Sequence, residues 1–254
     1  MMDRAAIRGW LGSALLTLVT LTTWSGADAA EIAVLSSVGV QPATPEIIAQ
    51  FERATGHKVN ITYGIAAVLK TRFLEGTPAD VLLLTSPIID DLAKQGKVAA
   101  SSKVDFARSG VGIGVRAGAP RPDISTPDAL KRAVLDAKVV GFSKEGASGV
   151  AFAKVLDRLG IAEQAKAKYK DTGAKAGEML ASGEVDLAAS QIPELMAVPG
   201  VDVVGPLPAE LQTITIFSAA QTTESKNGDA AKAFIQFLSS PAAAAVLKPK
   251  GLGG

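Results

Sequence analysis

The sequence predicts an α/β protein with two lobes, each a mostly parallel sheet flanked by helices, joined to one another by crossover strands. Apolar residues make up 48% of the 254 residues, which is enough for a sizeable core. Short apolar runs typical of buried strands alternate with helical patterns, which favours parallel strands with right-handed crossovers. Two such sets are separated near Phe106 and rejoin between residues 205 and 215, and this break predicts the two lobes.

The composition argues against several classes of function. The formal charge is +1, so no basic stripe is available for nucleic acid. The chain has no cysteine and one histidine, which excludes a thiol nucleophile and a disulfide framework and argues against a structural zinc site. The sequence contains no nucleophile elbow and no phosphate-binding glycine loop. We therefore predict no cofactor, no metal and no catalytic residue.

Residues 1–29 have the pattern of a secretory signal peptide. Arg4 and Arg8 precede an apolar run at residues 11–21, and Ala27-Asp28-Ala29 supplies the small residues that a signal peptidase accepts. The apolar run is shorter than a comfortable membrane span. We predict cleavage near Ala29 and an exported, periplasmic protein, with a retained N-terminal anchor as the alternative.

The first lobe is predicted to consist of residues 30–106 and 210–254. Its strands are expected at residues 32–35, 59–63 and 81–84, each followed by a helix, with a further strand at 212–219 and helices at 229–238 and 241–247. The glycine-rich tail at 251–254 is expected to fray. Because the carboxyl ends of parallel strands meet at one edge of a sheet, ligands gather there. The residues expected at this edge are Ser36, Ser37, Gly64, Ile65, Thr85 and Ser86.

The second lobe is predicted to consist of residues 107–209. Its strands are expected at residues 110–115, 139–142, 185–189 and 201–204, and Thr126 caps a helix that starts with proline. Hydroxyl or amide side chains again stand between a strand and a helix at two places. These are Ser148 with Gly149, and Gln191.

Polar side chains at helix starts are typical of anion sites, because the first N–H groups of a helix have no intrahelical partner and carry partial positive charge. The same device occurs at four places in the chain, two in each predicted lobe. We therefore predict a small anionic ligand in the cleft between the lobes. The alternative is that the hydroxyls only cap their helices.

Four segments carry a resemblance to a known family: PEIIAQFERATGHKVNITYG, EGTPADVLLLTSPIIDDLAKQGKV, GEVDLAASQIPEL and AAKAFIQFLSSPAAAAVLK. Together they resemble the periplasmic solute-binding proteins of the molybdate-binding type over nearly all of the mature chain. The Gly-x-Pro-Ala-Asp-Val turn is the most specific piece. The resemblance implies a type II periplasmic binding fold that hands its ligand to an ABC permease in the inner membrane. We expect the protein to act as a monomer.

The ligand set of that family is only partly kept. The resemblance implies hydroxyls at the first two strand ends and a tyrosine in the second lobe, whereas this chain has Gly64-Ile65-Ala66 and Ser190-Gln191 at two of these places. An unsatisfied buried anion is costly, so the loss of donors matters. The Gln191 amide can donate and accept, which suits an organic carboxylate more than a symmetric oxyanion. We favour a carboxylate and keep a molybdate-like oxyanion as an alternative.

An enzyme is the competing class of function. Some proteins that resemble this type are enzymes, and the alternative is an aconitate-isomerase-like protein that acts on a small tricarboxylate. Allylic proton transfer needs a positioned base beside an anion cradle. His57, Tyr63 and Glu145 are the candidates for such a base, and each has an ordinary structural role as the competing interpretation. Arg72 and Arg108 are expected to be surface charges, although an arginine is the usual clamp for a carboxylate.

Overall fold

The structure is a computed structural model that describes residues 29–253. Except for Ala29, the predicted signal peptide lies outside the described residues. The strands are β1 (Glu31–Ser37), β2 (Lys58–Gly64), β3 (Val81–Thr85), β4 (Val104–Arg116), β5 (Val140–Phe142), β6 (Tyr169–Asp171), β7 (Leu187–Gln191), β8 (Val201–Pro206) and β9 (Ile214–Gln221). The helices are α1 (Thr44–Thr55), α2 (Ala66–Leu74), α3 (Ser86–Lys94), α4 (Pro127–Asp136), α5 (Ala147–Arg158), α6 (Ala162–Lys166), α7 (Ala176–Ser182), α8 (Ile192–Met196), α9 (Gly228–Leu238) and α10 (Pro241–Leu247).

The strands form a mixed sheet in the order β2-β1-β3-β9-β4-β7-β5-β6, with β8 paired to β4 off this path. In the first lobe β1 lies parallel to β2 and β3; in the second, β5 lies parallel to β6 and β7. Strands β4 and β9 run antiparallel to each other and to their outer neighbours, and they connect the two parallel sets. The predicted α/β class with two lobes and crossover strands is confirmed.

Strand β4 passes from one lobe to the other. Its residues from Val104 to Gly110 pair with β9, and those from Val111 to Val115 pair with β7. The strand is therefore continuous across the predicted boundary at residue 106, because a long antiparallel strand serves both halves of the sheet. The division of the chain into residues 30–106 with 210–254, and 107–209, stays a prediction.

Each lobe has its own apolar core. In the first lobe Phe51 packs edge-on against Phe234 with ring centroids 5.1 Å apart, between α1, α9 and the sheet. In the second lobe Phe152 on α5 is fully buried and contacts Phe142 at 5.5 Å between ring centroids. Burial of such rings accounts for much of the stabilisation of each half. The lobes are thus separately packed bodies that share strands.

Several elements differ from the sequence prediction. Strand β7 includes Ser190 and Gln191, because both residues pair antiparallel with β4. The short elements β6 and α6 have three and five residues, too few to show a period, and the prediction lacked them. The helix expected after Gln191 is the five-residue α8. The C-terminal tail is also tied down: Leu252 is fully buried in the first core, and the Gly253 carbonyl accepts a hydrogen bond from the Arg108 amide at 3.0 Å.

No single helix within residues 29–253 has the length and apolar character needed to cross a membrane, while α9 and α10 together pass that test by length and composition across a bend of 59°. Both helices contribute buried side chains to the first core, among them Phe234 and Val246. Their apolar faces are therefore used in packing.

The Gly-Thr-Pro-Ala-Asp turn before β3 ties together distant parts of the first lobe. The Asp80 carboxylate accepts hydrogen bonds from the Ala33 amide at 2.9 Å, the Ser225 hydroxyl at 2.7 Å and the Asn227 side-chain amide at 3.2 Å. Burial raises the pKa of Asp80, but these donors outweigh it and hold the pKa below its usual value. The most specific motif of the sequence thus joins β1 to the segment before α9.

We expect Asp80→Asn to lower the free energy of unfolding by about 2–3 kcal/mol at pH 7, because several hydrogen bonds to a charged, buried acceptor are lost. The folded-state pKa is lowered, so this contribution is present above the ordinary Asp pKa of about 3.9 and disappears as the pH falls below it. Urea unfolding at pH 7 and pH 3 measures both effects. The control Asp157→Asn, at an exposed position of α5, should change little. Equal stability of the wild type and Asp80→Asn at pH 7 would contradict this role.

Candidate functional site

A small cavity of about 30 Å³ lies where the two lobes meet. Five of the predicted site residues line it, three from the first lobe and two from the second. They are Ser37, Ile65, Thr85, Ser148 and Gln191. The prediction had not named the other lining residues as ligand contacts. They are Val38, Ala66, Ser143, Gly146, Ala147, Gly173, Ser190, Glu194 and Phe217.

Four helices begin at the cavity wall. The residues that precede α2, α3, α5 and α8 are Ile65, Thr85, Gly146 and Gln191, and all four line the cavity. None of them caps its helix through its side chain, unlike Thr126 before α4, whose hydroxyl accepts from the Ala129 amide. The first N–H groups of α2, α3 and α5, helices of nine or more residues, therefore lack a capping side chain at the cavity. Their partial positive charge favours an anion there.

Serine hydroxyls arrange the backbone around the cavity. The Ser37 hydroxyl accepts a hydrogen bond from the Gly39 amide at 3.3 Å, and the Ser143 hydroxyl accepts one from the Gly146 amide at 2.9 Å. Both bonds shape short turns that lead into helical segments. The Ser37 and Ser143 hydroxyls therefore hold backbone turns, which is the kind of role that the capping alternative gave to such side chains. Both serines also line the cavity.

Gln191 is a buried side chain with one polar atom unpaired. It is 3% exposed, and its amide nitrogen donates to the Thr215 hydroxyl at 2.8 Å. Its amide oxygen has no hydrogen-bond partner in the protein. An unsatisfied buried polar atom costs about 1–3 kcal/mol, and Gln191 carries such an atom while being one of the residues that line the cavity. Gln191 therefore points to a polar ligand beside the cavity.

Glu194 is the one ionisable side chain among the described residues that line the cavity. Its carboxylate accepts a hydrogen bond from the hydroxyl of Ser190, four residues earlier in strand β7, at 2.5 Å. Burial raises the pKa of Glu194 to about 7; the Ser190 bond acts in the opposite direction, and the negative charge of Glu178 raises it further. The prediction lacked this residue. The only signal in the sequence was an acidic residue in the first turn after Gln191.

Four predicted site residues do not line the cavity. The Ser36 hydroxyl donates to the Ser37 carbonyl at 3.3 Å, and the Ser86 hydroxyl accepts from the Lys103 ammonium at 2.8 Å. Gly64 and Gly149 allow close packing: a Cβ atom at Gly149 would lie 1.8 Å from the Ser143 carbonyl oxygen, and one at Gly64 would lie 3.1 Å from Leu69. These two glycines and Ser36 are next in sequence to residues of the cavity wall but are not part of it.

The remaining candidates also lie away from the cavity wall. Tyr63 shares a 2.7 Å hydrogen bond with Thr44, and burial raises its pKa. His57 accepts a hydrogen bond from the Ala30 amide at 3.1 Å. Glu145, Arg72 and Arg108 are exposed and are absent from the cavity wall. In the part of the chain that the structure describes, no three His, Cys, Asp or Glu side chains are grouped as metal ligands.

Sequence and structure comparisons agree on the kind of protein that this chain resembles. The family of bacterial extracellular solute-binding proteins matches residues 32–253. An aconitate isomerase from Pseudomonas sp. is 36% identical over 228 residues, which cover 87% of each chain. The molybdate-binding protein of Azotobacter vinelandii is 29% identical over 239 residues, covering 89% of this chain and 91% of the relative. The solved structure of a periplasmic molybdate-binding protein from Azotobacter vinelandii has a TM-score of 0.75 at 20% identity, covering 87% of this chain and 98% of that one.

If the Gln191 amide serves ligand binding and not folding, replacing it together with its hydrogen-bond partner Thr215 should not lower the free energy of unfolding. The double variant Gln191→Met, Thr215→Val keeps the volumes and removes both polar groups, so we expect its free energy of unfolding to stay within about 1 kcal/mol of the wild type or to rise. Urea unfolding measures this. The matched control Asn60→Met, at an exposed position of β2, should also change little. A loss of more than about 2 kcal/mol in the double variant would assign Gln191 a structural role.

Proposed function

Because the chain belongs to the family of bacterial extracellular solute-binding proteins, we propose that it binds a small organic carboxylate between its two lobes, as the exported component of an ABC-type uptake system. The family assignment confirms the resemblance to solute-binding proteins of the molybdate-binding type. The observation that carries the proposal is the convergence of uncapped helix starts and the unpaired Gln191 amide oxygen on one cavity.

The anionic character of the ligand follows from the donors. The N–H groups at the starts of α2, α3 and α5 and the Ser148 hydroxyl are all able to donate to an oxygen anion. No lysine or arginine is among the described residues that line the cavity, so the charge would be stabilised by dipoles rather than by an ion pair. Dipoles of this kind are favourable only when the ligand is desolvated and closely surrounded.

The choice of a carboxylate over a tetrahedral oxyanion rests on two residues. Ile65 stands where the molybdate-binding pattern implies a hydroxyl, so one donor is missing. Gln191 offers an acceptor oxygen, which a fully ionised oxyanion without a proton cannot use. A ligand that combines carboxylate groups with a hydroxyl or a protonated group would use both kinds of site. A molybdate-like oxyanion is the alternative ligand.

The size of the cavity implies movement of the lobes. A volume of about 30 Å³ holds roughly two water molecules, since each needs about 10–15 Å³ on this measure. A second cavity of about 220 Å³ adjoins it, and Val38 and Glu194 line both. A di- or tricarboxylate therefore needs the lobes to separate, with β4 and β9 as the connection about which they turn.

The cellular setting is part of the proposal. The chain would be secreted after cleavage of residues 1–29, would act in the periplasm as a monomer, and would deliver its ligand to an inner-membrane permease. The family consists of extracellular solute-binding proteins, which agrees with export. A co-purification of the mature protein with its permease in the presence of ligand would test that partner.

An isomerase is the second candidate function. The relative at 36% identity is an aconitate isomerase, and Glu194 gives the cavity an acid–base group with a pKa of about 7. Removal of an allylic proton from a tricarboxylate requires a base in its ionised form. Binding an anion next to the same residue favours the neutral form, because two negative charges repel. The two functions therefore require opposite protonation states of Glu194.

The binding proposal predicts a thermal shift. At a ligand concentration 100 times the dissociation constant, a carboxylate should raise the free energy of unfolding by about 2.7 kcal/mol, or the melting temperature by about 5–10 °C. We expect Ser148→Ala to weaken binding about tenfold and the exposed control Ser101→Ala to leave it unchanged. Citrate, trans-aconitate, malate, succinate, molybdate and sulfate form the screen. If molybdate alone shifts the melting temperature, the ligand is an oxyanion and not a carboxylate. If none of the six anions shifts it, the proposal is contradicted.

The isomerase candidate predicts turnover. Purified mature protein incubated with trans-aconitate should form cis-aconitate, and the rate should rise with pH as Glu194 ionises around its pKa of about 7. Chromatography of the two acids measures the conversion. Glu194→Gln should abolish it while Glu145→Gln, at an exposed position, should not. Saturable binding of trans-aconitate without any conversion would exclude this function.

A further inference from the structure

Glu194 occupies a position to which the carboxylate-binding proposal assigns no role. It lies at the start of α8, and its side chain stands between the inner cavity of about 30 Å³ and the outer cavity of about 220 Å³. One carboxyl oxygen is bonded to the Ser190 hydroxyl. The other faces the turn of residues 38–40, where a Cβ atom at Gly39 would lie 3.5 Å from it. An anion that enters from the outer cavity must therefore pass or contact this carboxyl.

The charges around Glu194 do not favour its ionised form once an anion is present. Of the described residues that line either cavity, Glu178 on α7 is the other charged one, and it is also acidic. The turn of residues 38–40 and strand β7, which also pack near α8, carry no charged side chain. The charged residues of β4 and β8 lie outside both cavity walls; they are Asp105, Arg108, Arg116 and Asp202. Arg121 donates to the Val203 carbonyl. The C-terminal segment packs on α8 at Gly251, and the ammonium of Lys250, just before it, lies 3.7 Å from the Glu46 carboxylate. Lys248 and Lys250 are also outside both walls, so no lysine or arginine is among the described residues that line either cavity.

We propose that Glu194 binds the ligand in its neutral form and donates a hydrogen bond to a ligand carboxylate, so that a protein molecule whose Glu194 is ionised takes one proton from solvent when it binds the anion. The inference rests on the proposed function, because it names the residue that recognises a carboxylate in that same cleft. The proton forms an O–H bond on Glu194 and is shared with the ligand in the hydrogen bond, and no bond between heavier atoms changes. A neutral carboxyl is a donor in place of a repelling charge.

The surroundings of the carboxyl support this assignment. Its pKa of about 7 places half of the molecules in the neutral form near neutral pH before any ligand binds. A nearby anion raises the pKa of a carboxyl further, so binding and protonation reinforce each other. The unpaired Gln191 oxygen, on the same cavity wall, gives a protonated ligand group or a ligand hydroxyl an acceptor. The site would then select among anions by the hydrogen-bond donors and acceptors that they carry, and not by their charge alone.

The consequence is a defined pH dependence. Below about pH 7 Glu194 is already neutral, so affinity is constant and few protons are taken up. Above its pKa the protein must bind one proton together with each ligand. The dissociation constant should therefore rise about tenfold for each pH unit. Repulsion between neighbouring carboxylates raises the last pKa of a di- or tricarboxylate above the value of about 4 for an ordinary carboxyl. The ligand is fully ionised at the alkaline end of the range, where the proton uptake is expected.

The test is isothermal titration calorimetry of the mature protein between pH 6 and pH 9, in pairs of buffers with different ionisation enthalpies. The probe is whichever of trans-aconitate, malate and succinate gives the largest melting shift. For the wild type we expect an uptake of about one proton per ligand at pH 8.5, little uptake at pH 6, and a weakening of about tenfold per pH unit at the alkaline end.

Three variants separate the role of Glu194 from a general effect of charge. Glu194→Gln keeps a neutral donor, so it should bind at pH 8.5 within about threefold of its affinity at pH 6 and take up no proton. Glu178→Gln removes the neighbouring acid and should keep the proton uptake with a lower midpoint, since that charge raises the pKa of Glu194. Ser190→Ala removes a hydrogen bond that lowers the pKa of Glu194, so the midpoint of proton uptake should move to higher pH. This variant keeps the inference testable if Glu194→Gln fails to fold.

The outcomes separate this inference from the proposed function. Wild-type binding that is independent of pH and takes up no proton would overturn the role of Glu194 and leave carboxylate binding in place. A Glu194→Gln variant that folds but keeps the proton uptake would overturn it as well. If no carboxylate of the screen, citrate included, binds at pH 6, the proposed function itself is contradicted, and the inference is overturned with it.

Discussion

The proposed site depends on one constraint: no cationic side chain is among the described residues that line the cavity, so a bound anion would be held by backbone N–H groups and neutral side-chain donors. Three helices of nine or more residues begin at its wall without a capping side chain. This leaves the donors of α2, α3 and α5 exposed to the cavity, a cost that a soluble protein usually removes with a serine, threonine or aspartate at the cap. The chain does so before α4 and α10, through Thr126 and Ser240, whereas α1 and α9 also start without a capping side chain. The feature that agrees with a bound anion is therefore the meeting of three uncapped starts at one cavity.

The fold brings these starts together through its two crossing strands. Parallel strands β1, β2 and β3 place their carboxyl ends at one edge of the first lobe, and β4 and β9 carry the sheet into the second. Close backbone contacts then shape the second wall, most tightly at Gly149 against the Ser143 carbonyl. On the first lobe Asp80 ties β1 to the segment before α9, away from the cavity. Structural polar contacts and candidate binding groups thus occupy different places in the same lobe.

Much of the fold could be predicted from the sequence, because strand and helix patterns alternate clearly in both halves. The convergence of Ser37 and Thr85 follows from the rule that the ends of parallel strands share an edge. Ser148 belongs to the other parallel set, which runs in the opposite direction, and it meets them because the two lobes face each other across the cavity. The rule does not say which of two adjacent residues faces the cavity. Successive side chains of a strand point to opposite faces, so of Ser36 and Ser37 one alone lines it. Glu194 was not predicted because the five residues of α8 show no helical period. Its neighbours in the fold, Gly39 and Glu178, are distant from it in the chain.

Backbone recognition can be observed directly by NMR of the ¹⁵N-labelled mature protein during titration with the carboxylate that binds best. The account predicts that the amide signals of Ala66, Ala147 and Ser148, which line the cavity in the first turns of α2 and α5, move downfield together and saturate at one dissociation constant. The amide of Asp128, in the first turn of the side-chain-capped helix α4, should stay in place. Shifts confined to residues outside the cavity, with these three amides unchanged at saturation, would contradict the central claim.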